Sequence, residues 1–187
     1  DREMTARELG FERPTANSLD SVSARDFALE ALAAATITAT HLSRLAEEIV
    51  LWVTPQFGFI SLSDAFTTGS SIMPQKRNPD LFELVRARSA TALACLTEAL
   101  SICAKLPSGY QRDLQLLKFP LFRGIDIGAQ TLDIVAAAID ALRFRPERIR
   151  LDPAVHATEE AFALVVKEGI PFREAYQRIA ARYVRKE

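Results

Sequence analysis

From about Asp20 to Val53 neither proline nor glycine interrupts a run rich in Ala, Leu and Glu. Leu42, Leu45, Ile49 and Trp52 recur there at steps of three and four, the spacing of one helix face. Ala31–Thr40 carries no charge, which predicts burial on every side at that level. Such a helix would run roughly 50 Å, well beyond the globular average. Two more long helices are predicted. One runs from Pro79 to about Lys105, the other from about Pro120 to Leu142. Ile125, Leu132, Val135, Ile139 and Leu142 form the apolar stripe of the latter, and Gly124 and Gly128 weaken its start.

Shorter elements frame these three. Arg2–Leu9 reads as a helix closed by Gly10, and Pro14 and Asn17 mark a loop. The linker Leu106–Leu116 holds the turn signal Pro107-Ser108-Gly109. No strand pattern longer than Phe57–Leu62 is visible. After Arg143-Phe144-Arg145-Pro146 the elements shorten. Thr158 with Glu159 and Glu160 reads as a capped helix start, Gly169 as its end, and Pro171 as the opening of another helix through Tyr183. The fold class is therefore all-α: a long-helix bundle over residues 1–149, then the start of a small helical domain over 150–187. Three long helices with apolar faces and no sheet cannot bury themselves. They are expected to be part of a larger bundle, completed by other chains or by sequence not present here.

Composition narrows the function classes. About half of the 187 residues are hydrophobic, enough for one good core. The net charge is −1 with both signs mixed, so nothing suggests a nucleic-acid or membrane partner. No apolar run approaches a membrane span, and Asp1-Arg2-Glu3 does not open a signal peptide. Cys95 and Cys103 lie eight residues apart on one predicted helix, roughly 12 Å at helical rise and too far for a disulfide. A reducing, cytoplasmic setting fits. The two histidines, His41 and His156, lack metal-ligand spacing, and no chemistry is assigned to His41.

The densest chemistry lies in residues 69–79, Gly-Ser-Ser-Ile-Met-Pro-Gln-Lys-Arg-Asn-Pro. Gly69 and two serines allow a mobile lid with exposed hydroxyls and free N–H groups. Asn78 is a favoured N-cap type, and Pro79 suits the first helical position. A loop that feeds into a helix N-terminus is a natural seat for a carboxylate, and Lys76 adds a full positive charge just before it.

This loop resembles the signature of the fumarase/aspartase superfamily, Gly-Ser-Ser-x-Met-Pro-x-Lys-x-Asn-Pro, whose members cleave a C–N or C–O bond and release fumarate. Several stretches look most like the argininosuccinate lyase family. They include Asn17-Ser18-Leu19-Asp20, Ser23-Ala24-Arg25-Asp26-Phe27, Leu62-Ser63-Asp64-Ala65-Phe66, Tyr110-Gln111-Arg112-Asp113-Leu114-Gln115 with Lys118, and Gly169-Ile170-Pro171-Phe172. The resemblance covers nearly the whole chain. Two places depart from it: Arg77, more often lysine, and Leu116-Leu117 in place of an acidic pair.

The resemblance implies a homotetramer around a central bundle of long helices, with the small helical domain appended. It implies reversible β-elimination of argininosuccinate to arginine and fumarate, as a step of arginine biosynthesis, with no metal or organic cofactor. Ser70 matches the catalytic base. Its hydroxyl is far too weak a base unless the site stabilises the alkoxide, for which loop N–H groups and Lys76 are suited. Lys76 and Asn78 would bind the carboxylate whose charge grows. Glu83 would orient a histidine supplied by another subunit. Arg25 would grip a carboxylate. Tyr110, Gln115 and Lys118 would hold the amino-acid end of the substrate. The N-terminal half that would bring the histidine is expected to be missing, which makes the chain alone an inactive fragment. The alternatives are a sister lyase such as adenylosuccinate lyase, or a non-catalytic relative of the crystallin kind.

Overall fold

The computed structural model describes residues 1–183, so the last four positions of the expected 150–187 domain lie outside the described residues. The chain divides into two compact units, Asp1–Phe144 and Arg145–Glu187. In the first, helix α1 (Arg2–Glu8) is capped by Asp1, whose carboxylate accepts from Met4 N at 3.1 Å. A one-turn helix, α2 (Ser18–Ser21), follows. The Asn17 side chain caps it by accepting from Leu19 N and Asp20 N.

The predicted run from Asp20 is broken. Helix α3 spans Asp26–Val53, and residues 22–25 form a bend before it. Local side chains explain the break. The Ser23 hydroxyl donates to Asp20 O at 2.9 Å, and the Arg25 guanidinium donates to Val22 O and Ala24 O at 3.2 and 2.7 Å. These bonds satisfy carbonyls that helix continuation would otherwise have satisfied.

Helix α4 spans Asp80–Cys103 and helix α5 spans Lys118–Asp140; both lie along α3. The start of α4 differs from expectation. Pro79 occupies the N-cap position and Asn78 caps nothing, because its backbone is paired with Thr68. Two strands of two residues, β1 (Ile60–Ser61) and β2 (Arg143–Phe144), pair antiparallel with Ile60 opposite Phe144.

Two core clusters show the direction of the bundle. Ala46 and Ile49 of α3 meet Phe82 and Val85 of α4 and Val135 and Ala138 of α5, with Ile60 beneath them. At the other end, Ala28 and Leu32 of α3 meet Cys95 and Ala99 of α4 and Leu117. The three helices therefore run up, down and up. Phe82, Leu32 and Ile49 are fully buried, each contributing about 1.5–3 kcal/mol of transfer energy. Between the two cores the buried Thr36 hydroxyl donates to Leu32 O at 2.8 Å and to Ala92 O of α4 at 3.2 Å.

Two burial expectations are corrected. Within Ala31–Thr40 only Leu32, Thr36 and Ala39 are buried, while Ile37 is 60 % exposed. On α5 the inward residues are Gly124, Thr131, Val135 and Ala138, whereas Ile125, Leu132 and Ile139 of the predicted stripe are exposed. The cause is common to both. Three helices supply neighbours on only one side of each, so the remaining apolar face stays open.

The second unit holds α6 (Ala157–Glu168) and α7 (Phe172–Tyr183), packed through Ala161, Ala175 and Ile179. Helix α6 starts one residue before the expected cap. His156 takes the N-cap position and Thr158 lies inside the first turn. Gly169 adopts φ +67° and closes α6, its N–H donating to Val165 O. The Tyr183 hydroxyl donates to Glu160 Oε1 at 2.5 Å, tying the end of α7 to α6. That bond pushes the phenol's pKa up, because the proton it holds is the one donated.

Candidate active site

The loop before α4 is closed at its base. Thr68 N donates to Asn78 O at 3.1 Å and Asn78 N donates to Thr68 O at 2.8 Å. The Thr68 hydroxyl also bonds the carboxylate of Asp80, the first residue of α4. Residues 69–77 thus leave the bundle and return to the same point. From within the loop Arg77 reaches out, its Nε donating to Asp64 Oδ1 at 3.0 Å.

Ser70 sits half-buried near the start of this loop. Its Oγ accepts from Ile72 N at 3.3 Å and Met73 N at 3.2 Å, the serine version of a side-chain turn. Two N–H donors aimed at one oxygen favour negative charge there, which is what a serine alkoxide requires. Lys76 is exposed at the far end of the loop; among the described residues it makes no ion pair. Asn78 is half-buried at the base. Glu83 is exposed in the first turn of α4, a position the helix dipole favours for an acid. Ser70, Lys76, Asn78 and Glu83 therefore share one end of the bundle.

The other four predicted residues gather at the opposite end. Arg25 precedes α3, and Cys103 ends α4 near it. Burial pushes the Cys103 thiol up, the positive charge of Arg25 pulls it down, and Asp26 raises it again. The linker after α4 bends at Gly109 (φ +84°), where an added Cβ would lie 3.0 Å from Leu19 Cδ1. That close approach packs α2 against the linker. Tyr110 and Gln115 then meet directly, the Gln115 amide donating to the phenol oxygen at 2.5 Å. Lys118 is the first residue of α5 and is exposed.

The 24 residues of α4 separate the two sets by roughly 35 Å at helical rise. Within one chain, no small substrate touches both. Sequence reasoning also missed the loop's anchors, Asp64, Thr68 and Asp80. Polar residues flanking a glycine-serine loop on both sides were a usable signal. Which of them pair across 12 or 13 positions was not.

Comparison with known proteins adds a relationship. Residues 1–93 match the family model described as Lyase. The chain is 54 % identical over 180 residues to the argininosuccinate lyase of Maricaulis maris, covering 94 % of this chain and 38 % of that protein. Similarity of the same kind, 50 % identity over 188 residues, extends to the argininosuccinate lyase of Hyphomonas neptunium, of which this chain covers 40 %. The chain thus spans about two fifths of the length of these relatives. Among solved structures, an EDDS lyase in complex with formate superposes with a TM-score of 0.79 at 29 % identity, over 96 % of this chain and 36 % of that one.

Proposed function

We propose, from the premise that this chain is a lyase-family homologue of the argininosuccinate lyases, that the protein carrying it cleaves argininosuccinate reversibly to arginine and fumarate. One observation carries the reading. The Ser70 oxygen is held by two backbone N–H groups within a stretch about half identical to enzymes of that name. In this mechanism the Ser70 alkoxide takes a proton from the succinyl carbon next to a carboxylate. The electron pair moves onto that carboxylate, whose growing charge Lys76 and Asn78 meet. The pair returns to form the double bond of fumarate as the C–N bond breaks. The departing guanidino nitrogen takes a proton from a general acid outside this chain, held in place by Glu83. Arg25, Tyr110, Gln115 and Lys118 bind the substrate's outer groups.

The two residue sets at opposite ends of α4 support a homotetramer in which one copy's loop meets another's linker. Exposed Ile37, Ile125, Leu132 and Ile139 offer the apolar faces such packing needs. The same reading places the protein in the cytoplasm, in arginine biosynthesis. The test is turnover by the full-length protein, following fumarate and arginine with argininosuccinate and adenylosuccinate as rival substrates. Preference for adenylosuccinate would move the protein to a sister lyase. Absence of turnover with either would favour a non-catalytic structural relative.

A further inference from the structure

The residue in the loop with the most polar connections is neither Ser70 nor Lys76. Arg77 donates through Nε to Asp64 Oδ1 at 3.0 Å, and through Nη1 to Pro74 O at 3.1 Å and Lys76 O at 3.0 Å. Asp64 belongs to a short 3-10 helix, Asp64–Phe66, whose Phe66 packs against the core formed by Ile49, Phe82 and Val135. The guanidinium thus ties two carbonyls of the loop's turn to a segment anchored on the core through Phe66.

From there the bonds continue to the reactive oxygen. Lys76 N donates to Met73 O at 3.0 Å, and Met73 N donates to Ser70 Oγ at 3.2 Å. Asp64, Arg77, Lys76, Met73 and Ser70 therefore form one unbroken path. Among the described residues, the remaining polar fastenings of this loop, Thr68 to Asn78 and Thr68 to Asp80, hold only its base. Among the described residues, Arg77 is the side chain that ties the turn carrying Lys76 to a residue outside the loop.

We propose that Arg77 is a positioning residue: paired with Asp64, it fixes the backbone of residues 73–76 so that Lys76 and the N–H groups on Ser70 stand ready before substrate arrives. This rests on the lyase reading for its consequence, though not for its geometry. In this chain the planar guanidinium serves a carboxylate and two carbonyls together, which a lysine ammonium, a single point on a flexible stem, does less well. The pair is exposed, with side-chain exposures of 48 % and 83 %. Such pairs add little to overall stability, so losing it frees the loop without unfolding the chain.

The experiment uses the full-length protein with Arg77→Lys, Asp64→Ala and the double variant. Amide exchange of the peptide spanning residues 70–78 reports the brace itself. Steady-state turnover of argininosuccinate reports its use. Each single variant should exchange about tenfold faster in that peptide, the scale of one net hydrogen bond. Each should lose about tenfold in kcat with KM little changed, since fewer loops are productive at any instant. The double variant should be no worse than either single, because both break one path. Unchanged exchange in Arg77→Lys overturns the proposal. So does a higher KM at unchanged kcat, which would mean that Arg77 touches substrate. Faster exchange with wild-type kcat overturns the positioning role while leaving the lyase reading intact. If the wild-type protein turns over no argininosuccinate, the lyase reading fails and the exchange measurement alone decides the brace.

Discussion

Two glycines on one face of α5, four residues apart, should respond to alanine with opposite signs. At Gly124 a Cβ would lie 2.3 Å from Leu32 Cδ2 and 3.3 Å from Cys95 Cβ. Ordinary carbon contacts begin near 3.5 Å, so more than about 1 Å of overlap must be relieved. Leu32 and Cys95 are each 1 % exposed, which leaves Leu32 no open side to turn towards. Overpacking of this kind costs about 1–3 kcal/mol, and the overlap puts this site at the upper end. Alanine gains about 1 kcal/mol in helix propensity over glycine, so Gly124→Ala should lose about 2 kcal/mol. At Gly128 the nearest atom is Ala35 Cβ at 3.7 Å, an ordinary contact, so Gly128→Ala keeps the full propensity gain.

The two variants should therefore differ by about 3 kcal/mol. With a urea slope of about 2 kcal/mol/M, that separates their midpoints by more than about 1 M. Urea unfolding followed by far-ultraviolet circular dichroism, at one chain concentration so that association does not enter the comparison, measures this directly. Equal midpoints with equal slopes would refute the reasoning, since they would mean that α5 does not approach α3 and α4 through Gly124.

In the full-length protein, Ser70→Ala should cut turnover about 10²-fold or more while leaving KM close to wild type, because a base acts only in the transition state; a variant keeping a tenth of wild-type kcat would exclude Ser70 as the base. Lys118→Ala and Tyr110→Phe should raise KM for argininosuccinate more than they lower kcat, and the reverse pattern in steady-state kinetics would remove them from the binding set. Cys95, buried at 1 % exposure with burial pushing its thiol up, should resist maleimide at neutral pH until urea unfolds the chain, and mass spectrometry of the labelled peptide reads the result. Rapid labelling of Cys95 in the folded protein would contradict the packing of α4 against α3 and α5.

The long helices were legible in the sequence because their signals are local: no proline or glycine across α3, and apolar residues at steps of three and four. Their ends were less legible, because distant partners decide them. Asn78 looks like a cap for α4, yet its backbone is engaged by Thr68, and the cap position passes to Pro79. Arg25 looks like the interior of a long helix until its guanidinium takes the carbonyls of Val22 and Ala24. Periodicity marked Ile125, Leu132 and Ile139 as apolar but could not say whether their neighbour belongs to this chain. The loop itself, and its place just before α4, were readable from residue types in order. The brace through Arg77 was not, since Asp64 lies 13 positions away and only the folded backbone brings it within 3.0 Å.

The placement of the two residue sets bears on what the long helices are for. A bundle in one chain needs helices only long enough to bury a core, and three turns would suffice for that. Here α4 is 24 residues long and carries the loop at one end and the tyrosine-glutamine linker at the other. Its length separates groups that one substrate must contact together if both sets act in one reaction. Two copies running antiparallel cancel that separation, because the start of one α4 then lies beside the end of the next. In the proposed homotetramer the open apolar faces of α3 and α5 would supply the surface for such packing. On the lyase reading, association and catalysis then rest on the same geometry. On that reading, shortening α4 by whole turns would keep the local structure of each residue set but move each away from its counterpart in a neighbouring copy. On the same reading, length in this helix is a functional constraint, and the exposed isoleucines and leucines are the faces through which copies would pack.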